Sequence, residues 1–275
     1  MAPSDVIAPS GRAAASLAAS VRAEINYLRP MAEKPYTLAY QTAEGGQPAT
    51  NAVYDAHTVT ISDARPLAPG LSLDVEGFVL SERRTAVTDY YDEDQLDTVC
   101  HAEAAELVAE ATGASRVVVF DHTLRVRRTD IADRTPGMAR LPVMRAHCDY
   151  TEGSGPQRVR DLMGDEAEAL LARRFAFINV WRPIKRPVID TPLAVADCRS
   201  VAPADMVDSD MVYPDRRGEI LVVSYNPAHR WFYFPRMRAD EAMLIKCYDS
   251  RRDIAARFAP HSAFEDPTTP EDAPP

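Results

Sequence analysis

Short segments with strand-like character, separated by turn residues, recur over most of this chain and constrain its fold more than any other feature. In the first third they include Thr58-Val59-Thr60-Ile61 and Gly77-Phe78-Val79-Leu80. Later they follow one another closely, over residues 175–181, 193–198, 219–225, 229–234 and 242–248. Clear helical spacing of apolar residues is found over 92–112 and 156–174. A helical layer beside short antiparallel strands predicts an α+β domain built on a β-sandwich or barrel.

Turn and capping residues predict the limits of these segments. Asp92 and Asp94 are the two candidate N-caps for the first helix, and Gly113 is expected to end it. A strand is expected over 115–120, and Pro136-Gly137 indicates a loop. We expect three regions, which are an N-terminal arm over 1–33, a single domain over 34–263 and an irregular Pro-rich tail over 264–275.

Charge and composition exclude several classes of function. The chain has 275 residues and a formal net charge of −10, which disfavours non-specific nucleic-acid binding. It lacks the run of roughly 20 apolar residues that a membrane helix needs. Its first ten residues do not resemble a secretion signal, and its four cysteines form no Cys-x-x-Cys pair. We therefore expect a cytoplasmic protein with reduced thiols.

A metal-ligand pattern lies in the middle of the chain. His147 and Asp149 form a His-x-Asp pair on a strand-like segment, where alternation directs both side chains to one face. His229 opens a later strand, after the turn at Asn226-Pro227. Two imidazoles and one carboxylate can occupy one face of an octahedral metal and leave the other positions open, as in non-haem Fe(II) oxygenases. His-x-Asp alone is a weak signal, because a lone strand histidine is more often a core or surface residue.

Lys246 is the candidate anchor for an anionic co-substrate. Antiparallel pairing through a turn over 236–240 would place position 229 opposite position 246. A lysine in so apolar a strand needs an anionic partner if it is buried. The partner would be a carboxylate of a co-substrate bound beside the metal. The alternative interpretation is a lysine on an edge strand that extends its charge to solvent.

Five further residues are weaker candidates for the pocket. Asn179 and Arg182 end a strand and are candidates for cofactor binding, although Arg182 fits a surface ion pair equally well. Tyr150, Trp231 and His261 are candidate substrate contacts. Trp231 is expected mainly to pack the barrel. His261 lies in a loop-like Pro-His-Ser segment, where an exposed loop histidine is the simpler interpretation.

Taken together, these motifs resemble the Fe(II)- and 2-oxoglutarate-dependent dioxygenases. The nearest resemblance is to the hydroxylase/desaturase family of secondary metabolism, which includes fungal biosynthetic desaturases and the small component of cephamycin 7α-methoxylation. The resemblance covers roughly residues 75 to 270. The segments that carry it are His147 to Thr151, Ser154 to Pro156, Asn179 to Ile184, Pro192 to Ala194, Trp231 to Pro235, Lys246 to Ser250 and Pro260 to Phe264.

The resemblance implies a double-stranded β-helix (jelly-roll) core with flanking helices. It implies Fe(II) as cofactor, held by His147, Asp149 and His229, and 2-oxoglutarate as co-substrate, anchored by Lys246. Dioxygen and a small molecule would be the remaining substrates, and the product would be hydroxylated or desaturated. A homodimer is the preferred assembly. Relatives of this kind continue into another Arg/Glu-containing segment, whereas this chain stops at Pro275, so a contact from that segment would be missing or supplied differently.

Two other functions remain open at this point. A cupin-like metalloenzyme would bind a metal without using 2-oxoglutarate. A non-catalytic partner subunit would keep the fold and deliver substrate to another enzyme. A serine hydrolase is disfavoured because the chain has no Gly-x-Ser-x-Gly motif, and a nucleotide-binding enzyme because no Gly-rich loop follows a strand. The sequence identifies neither the substrate nor the choice between hydroxylation and desaturation.

Overall fold

The computed structural model describes residues 19–42, 48–127, 139–271 and 273. The predicted loop at Pro136-Gly137 and the first 18 residues of the predicted arm lie outside the described residues. Within the described residues, none of the helices has the length and apolar run that crossing a bilayer requires.

Ten strands form the larger of two sheets. They are β1 (Ser20–Leu28), β2 (Tyr36–Thr42), β3 (Pro48–Thr50), β4 (Tyr54–Asp63), β6 (His147–Cys148), β8 (Leu193–Ala196), β9 (Met206–Val212), β10 (Arg217–Val223), β11 (Trp231–Tyr233) and β13 (His261–Ala263). Their spatial order is β1-β4-β11-β8-β13-β6-β10-β9-β2-β3. The smaller sheet has the order β5-β12-β7 and is antiparallel. Its strands are β5 (Phe78–Glu82), β7 (Ala176–Trp181) and β12 (Glu241–Asp249).

The helices lie outside this strand framework. They are α1 (Glu93–Gln95), α2 (His101–Thr112), α3 (Ser154–Met163) and α4 (Ala167–Leu171), with a π-helical turn over Leu96–Cys100 and 3-10 turns over Arg65–Gly70, Gly164–Glu166, Cys198–Ser200 and Pro203–Asp205. The Asp92 carboxylate accepts hydrogen bonds from the backbone N–H groups of Asp94 and Gln95, which caps α1. Gly113 ends α2 with a φ of 69°. The predicted limits of this helical region are therefore confirmed.

The main hydrophobic core lies between the two sheets. Phe78 and Ile245 enter it from the smaller sheet, and Cys148 and Val195 enter it from the larger one. The rings of Phe78 and Phe232, one from each sheet, have centroids 6.0 Å apart. All nine residues of β12 are buried, which explains why its middle is a continuous apolar run, Ala242 to Ile245, and does not alternate.

Two predicted segments differ from what the structure contains. Residues 115–120 were expected to form a strand, but they join neither sheet, and Val118 and Phe120 are 45% and 38% exposed. A run of β-branched residues suits a strand, but it does not supply a neighbouring strand to pair with. In the opposite sense, the predicted arm contains β1, which pairs with β4 over nine residues and buries alternate side chains.

The predicted pairing of position 229 with position 246 is wrong. β11 lies in the larger sheet between β4 and β8, whereas β12 lies in the smaller sheet between β5 and β7. Residues 234–240 pass from one sheet to the other. Because the two strands are not neighbours, His229 and Lys246 do not face each other.

Candidate metal centre

His147 and His261 come together on adjacent strands of the larger sheet. In the antiparallel register of β6 and β13, His261 is directly opposite His147. Residues in this position project to the same face of a sheet. Their ring centroids are accordingly 4.4 Å apart, and both residues are at least nine-tenths buried.

Asp149 completes a three-residue cluster. It follows His147 by two positions, and its Oδ1 lies 3.4 Å from His147 Nε2. Its Oδ2 lies 3.7 Å from Nε2 of His261. The ligand atoms of the three residues are all within 4.8 Å of one another, and no other group of this kind occurs among the described residues. Two histidines and one carboxylate are the donor set that suits a non-haem ferrous ion.

The backbone fixes both imidazoles in the tautomer that a metal requires. Nδ1 of His147 lies 2.9 Å from the carbonyl oxygen of Arg145, and Nδ1 of His261 lies 3.1 Å from that of Ala259. A carbonyl oxygen can only accept a hydrogen bond, so each Nδ1 carries the proton. Both Nε2 atoms therefore keep a free lone pair on the side of Asp149. This second-nitrogen hydrogen bond is typical of histidines that bind metals.

The protonation states of Asp149 and His261 are those of a cation-binding site. Burial raises the pKa of the Asp149 carboxyl, but attraction to the imidazoles of His261 and His147 in their protonated form, together with the hydrogen bond from Asn179, outweighs that effect and holds the pKa well below its usual range. Burial lowers the pKa of His261 to about 4. At neutral pH the cluster therefore presents a carboxylate and, at His261, a neutral imidazole, which are the forms that bind cations.

Asn179 holds Asp149 from the opposite sheet. Its side-chain Nδ2 donates a hydrogen bond of 2.6 Å to Asp149 Oδ2. Asn179 lies on β7 of the smaller sheet, so this contact crosses the core to the sheet that carries the histidines. The sequence predicted a cofactor-binding role for Asn179, and the structure places it against a candidate ligand.

Thr151, Ser154 and Gly155, which follow Asp149, have structural roles. Thr151 and Ser154 exchange hydrogen bonds between backbone N–H groups and side-chain hydroxyls, which forms the turn into α3. The Thr151 hydroxyl also donates to the Glu219 carboxylate at 3.1 Å. A Cβ on Gly155 would lie 2.8 Å from the Tyr248 ring, so the helix can pack there only with glycine. These contacts fix the direction in which the chain leaves the cluster.

His229 is not part of the cluster, contrary to the prediction. Its Nε2 lies 3.0 Å from Asp205 Oδ2, and its ring stacks on Tyr27 at 5.6 Å. The cause is the strand order: β11 is separated from β6 by β8 and β13. Burial lowers the pKa of His229, although Asp205 acts in the opposite direction. His229 therefore pairs with Asp205 and lies outside the cluster that contains Asp149.

Lys246 is buried, as its strand pattern suggested, but its partners belong to the protein. Its Nζ donates hydrogen bonds of 2.6 Å to Asp74 Oδ1 and to Asp249 Oδ2. Arg174 binds the same two carboxylates, each at 2.7 Å. The lysine is 1% exposed. It therefore stabilises the core by neutralising the buried carboxylate of Asp249 and the partly exposed one of Asp74, and the prediction that it binds a co-substrate is not supported by its contacts.

The remaining candidates separate into two groups. Tyr150 and Arg182 line the cavity that contains the cluster, as do Asn179 and His261. Tyr150 stacks on Phe177 at 4.2 Å, and Arg182 lies 3.7 Å from Glu103. Trp231 is absent from that cavity. It is 1% exposed and donates a 2.6 Å hydrogen bond to the Tyr27 hydroxyl, so it packs the barrel and does not face substrate.

His261 is the residue whose position the sequence did not reveal. β13 has three residues, too few for alternation to be recognised. One signal was present: a short stretch of small and apolar residues surrounds the histidine, and all of 259–264 is buried. An exposed loop does not need such a composition.

A cavity of about 2160 Å³ opens beside the cluster. Its lining includes residues 115–127 and the whole of β7. This space is large enough for a small organic molecule together with a dicarboxylate.

Comparisons with known proteins agree on one kind of chemistry. A family model described as "Oxidoreductase/YMDC permease-like domain" matches residues 25–275. The Fe(II)/2-oxoglutarate-dependent dioxygenase nvfI of Aspergillus novofumigatus is 32% identical over 260 residues, which span 92% of this chain and 91% of the relative. The hydroxylase/desaturase efuI of Hormonema carpetanum is 31% identical over 266 residues, or 90% of this chain and 88% of the relative.

The solved structures extend this likeness to the fold. The iron and alpha-ketoglutarate-dependent endoperoxidase NvfI matches with a TM-score of 0.81 at 29% identity, covering 93% of this chain and 94% of that chain. The prediction of an α+β fold with a jelly-roll core is confirmed by this match.

Proposed function

Since the chain belongs to the family of Fe(II)/2-oxoglutarate-dependent dioxygenases, we propose that His147, Asp149 and His261 hold its ferrous ion. The observation that carries the proposal is the convergence of two Nε2 lone pairs and one carboxylate on a single point beside a large cavity. The reaction is the oxidation of a small-molecule C–H bond, as in the hydroxylases and desaturases of fungal secondary metabolism that this chain resembles.

The metal and the protein residues have separate tasks. Bound Fe(II) supplies the redox chemistry, in which dioxygen and 2-oxoglutarate are consumed and the substrate is hydroxylated or desaturated. The hydrogen bonds to backbone carbonyls would hold the rings of His147 and His261 in the orientation that ligation needs. Asn179 would restrain one oxygen of Asp149 through its hydrogen bond. A donor set of three protein residues would leave room for the co-substrate and dioxygen.

The comparisons disfavour the two alternative functions. Relatives that match nine-tenths of the chain have names that specify 2-oxoglutarate or hydroxylase/desaturase activity, which argues against a cupin-like enzyme that ignores 2-oxoglutarate. A complete ligand set in a cavity also argues against a subunit that only delivers substrate.

The proposal is tested by replacing the two histidines in parallel. His261→Ala is expected to abolish the charge-transfer absorption that appears when 2-oxoglutarate is added anaerobically to the Fe(II) protein. His229→Ala, the matched control, is expected to keep it. Fe(II) affinity, measured by equilibrium dialysis, should follow the same division. If His229→Ala loses the absorption and His261→Ala keeps it, the proposal is wrong. His229 would then be the second histidine ligand, as the sequence suggested.

Two predictions from the sequence remain for this protein. We propose a homodimer and a cytoplasmic location. The three candidate ligands come from one chain, so a dimer is not needed to form the site. Light scattering at several concentrations would decide the assembly, and fractionation of the source cells would decide the location.

A further inference from the structure

Arg145 has an unusual position beside the metal ligands. It precedes His147 by two residues, so alternation directs it to the same side as His147 and Asp149, and all three line the cavity. Its Nε is buried and has no hydrogen-bond partner. Within the described residues, it is the one buried side-chain nitrogen or oxygen in that condition. Buried donors of a charged group are normally satisfied, so an orphaned guanidinium atom in a cavity points to a missing ligand.

Several other basic residues of the same cavity have protein partners. Those with carboxylate partners are Arg116, Arg127, Arg174, Arg182 and Lys246. Arg125 donates from Nη1 to the carbonyl oxygen of Leu141 at 2.7 Å. Arg145 therefore differs from these neighbours in having a buried donor, its Nε, that no protein acceptor occupies.

The charge of the cavity identifies the kind of ligand. Basic side chains outnumber acidic ones along its lining, although the chain as a whole carries a formal charge of −10. A cleft lined by one sign of charge concentrates small ions of the opposite sign. A guanidinium with free donors matches the two oxygens of a carboxylate better than any neutral group.

We propose that Arg145 is a carboxylate-binding residue of the active-site cavity. The inference rests on the proposed function, because it is the metal cluster that makes this cavity the active site. The carboxylate has two sources, the far carboxylate of 2-oxoglutarate or a carboxyl group of the organic substrate. Both use the same chemistry, and two titrations distinguish them.

The first titration compares 2-oxoglutarate with 2-oxobutyrate, which has the same keto-acid head but no far carboxylate. Each is added anaerobically to the Fe(II) protein, and binding is followed by the charge-transfer absorption. If the ligand is the co-substrate, Arg145→Met weakens 2-oxoglutarate about 10- to 100-fold, and Arg145→Lys weakens it less. Binding of 2-oxobutyrate stays unchanged, which also shows that the variant is folded and holds the metal.

The second titration compares hexanoate with hexanamide by calorimetry, with the metal-free protein. If the ligand is a carboxyl group of the organic substrate, the wild-type protein binds hexanoate more tightly than hexanamide, and Arg145→Met removes that preference. Arg140→Met is the matched control in both titrations, because Arg140 is an exposed arginine of the same cavity lining.

The outcomes separate this inference from the proposed function. The inference is overturned if Arg145→Met alters neither the preference for 2-oxoglutarate over 2-oxobutyrate nor that for hexanoate over hexanamide. It is also overturned if Arg140→Met produces the same changes. Absence of the charge-transfer absorption in the wild-type protein would instead reject the Fe(II)/2-oxoglutarate function, and the metal-free titration would still decide whether Arg145 binds a carboxylate.

Discussion

His147 and His261 each direct Nδ1 at a backbone carbonyl, whereas His229 directs its Nε2 at a carboxylate. The first arrangement leaves one lone pair free for a metal, and in the second the nitrogen is occupied by a hydrogen bond to the Asp205 carboxylate. Histidine content and spacing cannot separate these cases, because the acceptors come from the fold. The His-x-Asp pair was predictable, since two residues on one strand suffice to bring its members together.

Asn179 offers a test of how far the candidate ligands depend on their neighbours. Asn179→Leu removes the hydrogen bond to Asp149 without adding charge, and we expect Fe(II) affinity to fall about 10- to 100-fold. Asn226→Leu is the matched control, because Asn226 donates to Asp205 away from the cavity at 3.1 Å. Dialysis of Fe(II) against each variant, with thermal unfolding of the metal-free forms, would check this. Equal losses of affinity in both variants would count against the role of Asn179.

His229 makes stability sensitive to acid. Its pKa in the folded state is lowered by burial below the ordinary value of about 6.5, so the unfolded chain binds its proton more readily. The stabilisation is therefore complete above about pH 6.5 and is lost progressively as the pH falls toward the folded-state pKa. Urea unfolding of the metal-free protein at pH 7.5 and 5.5 should show a smaller acid-induced loss in His229→Gln than in wild type. His57→Gln is the control, and an identical loss in all three proteins would contradict the expectation.

β12 contains charged residues although it lies in the hydrophobic core. Lys246 and Arg174 together neutralise Asp74 and Asp249, and this group ties β12 to the start of β7 and to the loop before β5. Replacing Lys246 or Arg174 alone would leave the buried Asp249 carboxylate with one partner fewer. This costs more stability than replacing the whole charged group by apolar residues of similar size. The arrangement stabilises the fold beside the metal cluster without taking part in its chemistry.

The distinction between a structural and a functional Lys246 can be measured. Lys246→Met is expected to lower the free energy of unfolding by about 3 kcal/mol. The affinity for 2-oxoglutarate, from the anaerobic titration, should stay within about twofold of wild type. Lys185→Met, at an exposed lysine that lies over Tyr91, should change neither quantity. A stable Lys246→Met protein that no longer binds 2-oxoglutarate would show that the lysine is the anchor after all.

Strand patterns predicted β7, β10 and β12, but they missed the nine-residue strand β1 and the three-residue strand β13. β7, β10 and β12 and the first helix follow from periodicity, because each is long enough for its pattern to be recognised. The three-residue strand β13 is too short to show one, although it holds a candidate ligand. Alternation also does not specify which strands become neighbours, and so the pairing expected for β11 with β12 failed. Choice of partner depends on contacts between the sheets that no local segment contains.

In the molecule as a whole, the candidate metal centre connects the two sheets. Both histidines and Asp149 come from the larger sheet or its continuation, while Asn179 reaches Asp149 from the smaller one. An ion bound to the cluster therefore stabilises the packing of one sheet on the other, and its binding free energy adds to that of folding.

Metal binding should accordingly be visible in thermal unfolding. Mn(II) is a suitable probe because it is stable to air. At about 100 times its dissociation constant it adds about 2.7 kcal/mol of stability, and the Tm should rise by about 5 °C. A chelator should reverse the shift, His261→Ala should lose it, and His229→Ala should retain it. A shift that survives in His261→Ala would place the ion somewhere else.

Residues 115–127 line the cavity, yet among the described residues their backbone pairing is limited to the single bridge between Arg125 and Arg140. Changes of length or composition in this segment leave the pairing of β6 with β13 untouched. Substrate choice can therefore diverge while the oxidative chemistry is retained, and loop grafting between relatives becomes a direct route to enzymes with altered selectivity.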